Sequence, residues 1–412
     1  MRQFLILSLI LCPVFISGGN ATAQDSSAQT PSPFDRHVEE FIREHGVPGV
    51  AVAVTKNGKV VFARGYGVAS RQPAKPVTNK SLFRIASLSK PVTAVAILQL
   101  VERSLIKMDS KVLEVLDLKK EIEEAGDRFD ERWRRVTIRH LLEHRGGWDR
   151  GVSFDPMFQS KRFTSELKTA PPADQQTIIR AMLRYPLDYE PGQRYAYSNF
   201  GYCLLGRVVE RLTGKTYEAY VQKNVLVPLS ISSMKIGRTL KSGRAVNEVE
   251  YEHRGKTDSV FDPKGDPVPH PYGAWNLEAM DSHGAWIATA TDLAKFAAAF
   301  DDPERCPILS AESIRLMHSR PPGLAGTNKD GTPLNPYYTL GWMNRSLGNG
   351  RYNYWHSGSL PGTATILIRR HDGLNFVGLV NSRTSKAGAS IGGELDRMLH
   401  RAVNDSLKFF DR

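Results

Sequence analysis

The chain has 412 residues, 41% of them hydrophobic, which is enough for a large core in two or three domains or in one domain with an insertion. Its formal net charge is +12, yet the basic residues are scattered, with no basic tract interleaved with aromatics, which argues against a nucleic-acid partner. No apolar run is long enough to predict a transmembrane segment.

Residues 1–23 read as a secretory signal, with Arg2 as its charged start, 4–16 as its apolar stretch and Ala21-Thr22-Ala23 as an A-x-A cleavage site. A secreted chain, periplasmic or extracellular after cleavage near Ala23, is the expectation. Cys12 raises a lipoprotein signal, but Leu11 stands where that signal needs a small residue. Residues 24–33 are polar and Pro-containing, and read as a linker. A helix is predicted over 34–45, ended by Gly46. Runs 50–55 and 60–64 flank Lys56-Asn57-Gly58-Lys59, a hairpin signal. Residues 87–101 read as a helix apolar nearly all round. Helices follow over 137–143, 173–184 and 200–212, stopped by Gly146-Gly147, Pro186 and Gly214. Residues 241–275 read as a long polar loop. Helices over 291–300 and 310–318 precede strands 337–343, 352–356, 363–369 and 374–380, and a helix over 391–403 closes the chain. The fold class expected is α/β (α+β): one antiparallel sheet flanked by helices and split by a mostly helical insertion. Residues 34–108 and 285–412 are assigned to the sheet domain and 109–284 to the insertion. Cys203 falls in a helical apolar run, and the sequence leaves open whether it pairs with Cys306.

Ser87-Leu88-Ser89-Lys90 opens the most apolar of these helices. Pro91 lacks an N–H and so belongs in or near the first turn, which puts Ser87 at the helix start. Residues three apart share a face, so hydroxyl and amine can meet. Serine needs a base to become a nucleophile, and burial near a helix N-terminus lowers a lysine pKa toward that use. The same spacing recurs at Ser165–Lys168 and Ser232–Lys235, but neither opens an apolar helix, so both read as surface. A second signal is Tyr195-Ala196-Tyr197-Ser198-Asn199, between the turn Glu190-Pro191-Gly192 and a helix. Tyr197 could relay a proton and Asn199 could hold a substrate amide or the lysine; the plainer reading is a buried tyrosine and an N-capping Asn199. The third is Trp355-His356-Ser357-Gly358-Ser359 at the end of a strand, where Gly358 permits close backbone approach and a backbone N–H could serve an oxyanion hole.

Together the three signals resemble the serine β-lactamase and penicillin-binding protein superfamily, specifically its class C branch of β-lactamases, D-alanyl-D-alanine carboxypeptidases and β-lactamase-like esterases. Gly46-Val47-Pro48-Gly49, Leu141-Leu142-Glu143-His144 and Leu340-Gly341-Trp342 add to the likeness. The resemblance implies a β-lactamase/transpeptidase-like fold, Ser87 as the acylated nucleophile, Lys90 and Tyr197 sharing the general-base role, and Asn199 on the substrate amide. It also implies an oxyanion held by the N–H groups of Ser87 and Ser359, with His356 and Gly358 at the substrate. The implied reaction is hydrolysis of an amide bond, in a peptide or a β-lactam, without a cofactor. The partner is a small-molecule or peptide substrate, cell-wall peptide among them. His356-Ser357-Gly358 stands where the family often has Lys-Thr-Gly, a variant of peptidases and esterases. Arg145-Gly146-Gly147 replaces Thr-Ser-Gly. A carboxylesterase and a penicillin-binding protein with little turnover are the alternatives. A remote one is a zinc metallopeptidase, since His140-Leu141-Leu142-Glu143-His144 fits a His-x-x-Glu-His pattern with both imidazoles on one helix face.

Overall fold

The computed structural model describes residues 32–410, so the expected signal, Cys12 and nearly all of the expected linker lie outside the described residues. The linker's last two positions are structured: Ser32 caps helix α1 (Pro33–His45), which ends at Gly46 in the left-handed region.

Strands β1 (Gly49–Lys56) and β2 (Lys59–Arg71) form the expected hairpin, with Asn57 and Gly58 at φ 49° and 79° as its turn requires. Strand β3 (Ala74–Pro76) edges the sheet. The remaining strands of this sheet are β4 (Tyr337–Tyr338), β5 (Met343–Ser346), β6 (Tyr352–Leu360), β7 (Thr363–Arg369) and β8 (Leu374–Val380). Their order across the sheet is β3-β2-β1-β8-β7-β6-β5-β4, with antiparallel neighbours throughout. This is the antiparallel sheet with flanking helices that the strand pattern predicted.

Strand β1 is buried on both faces and divides two cores. Val50, Val52 and Val54 join Phe34 of α1 and Leu395 of the closing helix Gly392–Asp405. Ala51 and Ala53 face the larger core, which holds helix α2 (Ser89–Glu102) and the helices of the middle of the chain. Alternation with period 2 explains the split, and the small alanines let helix Ala290–Ala298 lie close to the strand. Twelve residues of α2, Ser89 to Leu100, are buried, so its apolar circumference is met on all sides.

Two expected elements differ. The strand over 337–343 is broken into β4 and β5 by a turn with Gly341 at φ 85°. A Cβ at Gly341 would lie 2.9 Å from that of Ala94, so this turn rests directly on α2. The segment 241–275 is not merely a solvated loop: it holds a short antiparallel ribbon, Lys256–Thr257 with Val268–Pro269, and two 3-10 turns, Lys241–Gly243 and His270–Tyr272. It wraps the buried guanidinium of Arg84, which donates to Pro271 O at 2.5 Å and Arg238 O at 2.7 Å and lies 3.7 Å from the Glu248 carboxylate. A buried charge needs such partners, and a polar stretch supplies them. Cys203 and Cys306 are both free, Cys203 within the core as its apolar run predicted. No helix among the described residues is long and apolar enough to cross a membrane.

Candidate active site

Ser87 lies in the 3-10 turn Ala86–Leu88 that leads into α2. The approach is fixed by hydroxyls. Thr363 donates to Arg84 O and Thr365 to Ile85 O, both at 2.9 Å, while Ser89 donates to Ala86 O at 2.7 Å. Ala86 is held at φ 49°, a strained region for a residue with a Cβ. Gly358 of β6 presses against this turn. A Cβ there would sit 2.3 Å from Ile85 O and 2.2 Å from the Thr365 hydroxyl, so only glycine lets strand and turn meet. Ser357 and Ser359 flank it with side chains exposed to the cleft.

Lys90 follows one turn later and is fully buried. Its Nζ lies 3.2 Å from Ser87 Oγ, 2.8 Å from Asn199 Oδ1 and 3.1 Å from His283 O. Burial pushes its pKa well below the usual lysine value; Asp155 opposes this and Arg150 adds to it. A neutral amine has two N–H bonds and one lone pair. The two carbonyl oxygens can take both N–H bonds, which leaves the lone pair for the Ser87 hydroxyl proton.

Tyr197 hydrogen-bonds Ser87, and burial raises its pKa above the usual phenol value. Its ring centroid lies 4.7 Å from Lys90 Nζ and 4.8 Å from the Arg150 guanidinium. The loop that carries it is braced by residues 144–145. His144 O accepts the Ala196 N–H at 2.8 Å, His144 Nδ1 accepts the Ser198 N–H at 3.1 Å, and Arg145 O accepts the Gly192 N–H at 2.8 Å. Arg145 is itself buried against Glu143, at 2.6 Å. Helix α3 (Asn199–Thr213) then begins. Its cap is Ser198, which accepts the Gly201 N–H at 3.2 Å. The cap expected at Asn199 therefore falls one residue earlier, and the Asn199 side chain is free to bridge Lys90 and Asp155, to which Nδ2 donates at 2.7 Å.

His356 is buried at the back of the cleft with both ring nitrogens engaged. Nδ1–H donates to Ser357 O at 2.7 Å, and Nε2 accepts from the Tyr338 hydroxyl at 3.1 Å. Burial, with Lys90 nearby, lowers its pKa to about 3. The place at the substrate that the resemblance implies for His356 is thus that of a neutral ring, which has no charge near neutral pH with which to attract a carboxylate. The zinc reading also fails on geometry. The helix there spans only Ile138–Leu142, and His144 lies beyond it at φ 55°. His140 packs at its own helix cap, receiving the Thr137 N–H at 3.4 Å, while His144 Nδ1 is occupied by Ser198. The two imidazoles do not share a helix face. Ser165, Lys168, Ser232 and Lys235 are exposed.

The expected residues Ser87, Tyr197, Asn199, His356 and Ser359 line one cleft of about 860 Å³, with Lys90 and Gly358 packed behind it. Phe158, Trp275, Tyr195 and Tyr338 form an aromatic wall. Sequence reasoning missed Arg150, Asp155, His283 and Tyr338. None sits at a telling spacing; Asp155-Pro156 signals only a turn.

The Beta-lactamase family model matches residues 34–397. Protein flp of Staphylococcus aureus (strain N315) is 23% identical over 339 residues, covering 81% of this chain and 59% of that protein, so the chain spans about three fifths of this relative's length. Penicillin-binding protein 4* of Bacillus subtilis (strain 168) is 24% identical over 347 residues, covering 81% of this chain and 68% of that protein. In fold, the chain is similar to D-amino acid amidase from Ochrobactrum anthropi SV3 complexed with D-phenylalanine. The TM-score is 0.67 at 22% identity, covering 91% of this chain and 98% of that one.

Proposed function

The chain belongs to the beta-lactamase family, and from that premise we propose that it is a serine hydrolase that opens amide bonds through an acyl-enzyme on Ser87. One observation carries the reading: a buried amine, Lys90, stands 2.8 and 3.1 Å from two carbonyl oxygens and 3.2 Å from the Ser87 hydroxyl. Lys90 takes the proton as Ser87 Oγ attacks the substrate carbonyl, with Tyr197 handing a proton on to the leaving amine. The N–H groups of Ser87 and Ser359 hold the oxyanion, and Asn199 contacts the substrate amide. Water then releases the acyl group. Peptides, including cell-wall peptide, and β-lactams are the amides proposed. The test is intact mass after incubation with a labelled penicillin and with a fluorophosphonate. One adduct mapped to Ser87 is expected, and its persistence in Ser87→Ala would sink the reading.

A second reading, a carboxylesterase, is favoured by the uncharged His356 at the position where the family often has a lysine. Initial rates on a cephalosporin, a D-alanyl-D-alanine peptide and a short-chain aryl ester separate the two. Export is proposed on the A-x-A site at residues 21–23. Mass analysis of the secreted form should find an N-terminus near Gln24, and a retained, lipid-modified Cys12 would contradict it.

A further inference from the structure

We propose, resting on the reading of Ser87 and Lys90 above, that Asp155 is a positioning residue that dictates which end of the Asn199 amide faces Lys90. Asp155 caps the turn Pro156–Phe158, and its Oδ1 accepts the Met157 N–H at 3.2 Å. Capping needs one oxygen. The other, Oδ2, accepts from Asn199 Nδ2 at 2.7 Å, and Arg150 lies 3.8 Å from it. A carboxylate only accepts, so Asn199 must turn its NH2 group toward Asp155. The amide is planar, and its Oδ1 is thereby delivered to the far side, 2.8 Å from Lys90 Nζ.

The orientation decides what Lys90 can do. With Oδ1 against it, Lys90 donates to Asn199 and to His283 O and keeps its lone pair for Ser87. With the amide reversed, an Asn199 N–H would point at Lys90 and take that lone pair. The base would be present, correctly placed and occupied. Asp155 touches neither Ser87 nor the amine; its charge favours the ammonium form of Lys90, but both variants below remove that charge alike, so their comparison reads its action through Asn199.

The two obvious variants should therefore rank in an unusual order. In Asp155→Asn the side chain keeps its shape and its Oδ1 on the Met157 N–H, so its new NH2 group confronts Asn199 and reverses the amide. In Asp155→Ala nothing holds Asn199, and either orientation is open. The measurement is the saturating rate of fluorophosphonate modification of Ser87, with the half-saturating reagent concentration. Asp155→Asn should be slower than Asp155→Ala by about tenfold, the rate equivalent of one misdirected hydrogen bond, with half-saturation little changed. The exchange Asp155→Asn with Asn199→Asp restores an acceptor-only group beside Lys90. It should recover a rate above that of Asp155→Ala at alkaline pH, where the added negative charge no longer keeps the lysine protonated. A role limited to capping or packing gives the reverse order, with the alanine variant slower and no recovery in the double variant, and that result overturns the proposal. If Asp155→Asn does not fold, the double variant against Asp155→Ala carries the comparison alone: faster supports the proposal, slower overturns it. Absence of any Ser87 adduct in the unaltered protein is a different failure, that of the Ser87 reading itself.

Discussion

Lys90 has its charge governed by its surroundings. An ammonium with no water contact would have to be held by Asn199, His283 O and the faces of Tyr197 and Tyr202, and burial outweighs them. Lys90→Ala and Tyr197→Phe should each lower the turnover number by about 10²–10⁴-fold, since both are asked to move protons. In the unaltered protein, turnover should rise with pH as Lys90 loses its proton, at a pH well below the usual lysine value. His356 leads to an opposite expectation. With a pKa of about 3 and both nitrogens engaged, it stays neutral from pH 5 to 8. KM for an anionic substrate should then track that for a neutral one across this range. A rise for the anionic substrate alone, lost in His356→Gln, would show that the ring does gain charge there. Of the residues that meet at the cleft, Ser87, Lys90, Tyr197 and Asn199 could be found in the sequence because each stands at a helix start or beside a turn that leaves a mark. Asp155, His283 and Tyr338 could not, since they reach the site from separate elements, and His283 does so by its backbone carbonyl, which every residue possesses.

At the scale of elements, the contact between β6 and the Ser87 turn is the most exacting joint. Gly358→Ala puts a Cβ against a backbone carbonyl that is itself tied down by Thr365, so the strand must back away. The expected cost is about 1–3 kcal/mol by denaturant melt, with loss of Ser87 labelling beyond what that melt explains. The elements themselves were largely legible. Strands 363–369 and 374–380 fall where periodicity placed them, because both are buried along their whole length and flank a His-Asp-Gly turn. The break between β4 and β5 was hidden, since Gly341 answers to Ala94 and Pro91 of a distant helix rather than to its neighbours in sequence. Likewise the polarity of 241–275 indicates solvent when read locally, but it is explained by Arg84, more than 150 residues earlier.

Across the whole molecule, His144, His283 and His356 are buried and His318 is half-buried, all four with lowered pKa. Unfolding exposes them, and below about pH 6.5 the unfolded chain binds protons that the folded one refuses. Stability contributed by their neutrality is intact above that pH and falls as pH drops toward their folded values. Asp155 and Glu248, whose burial raises their pKa, offset part of this by binding protons in the folded state. Urea titrations between pH 7 and 4.5 should show stability falling with a slope of more than one proton per molecule. A flat profile would mean that these rings are protonated in place.

The sheet's order has a consequence for how the chain is made. Strand β1 has the last strand, β8, as its neighbour, with Val50 opposite Val380. During synthesis β1 must wait, one edge unpaired, for some three hundred residues, a long-range pairing of the kind that folds slowly and exposes an edge. The hydroxyls of Thr363 and Thr365 that fix the Ser87 turn emerge nearly as late. Ser87 and Lys90 are thus translated early but acquire their geometry only when the chain is almost finished. An incomplete product ending before β7 carries the reactive pair without the braces that shape it.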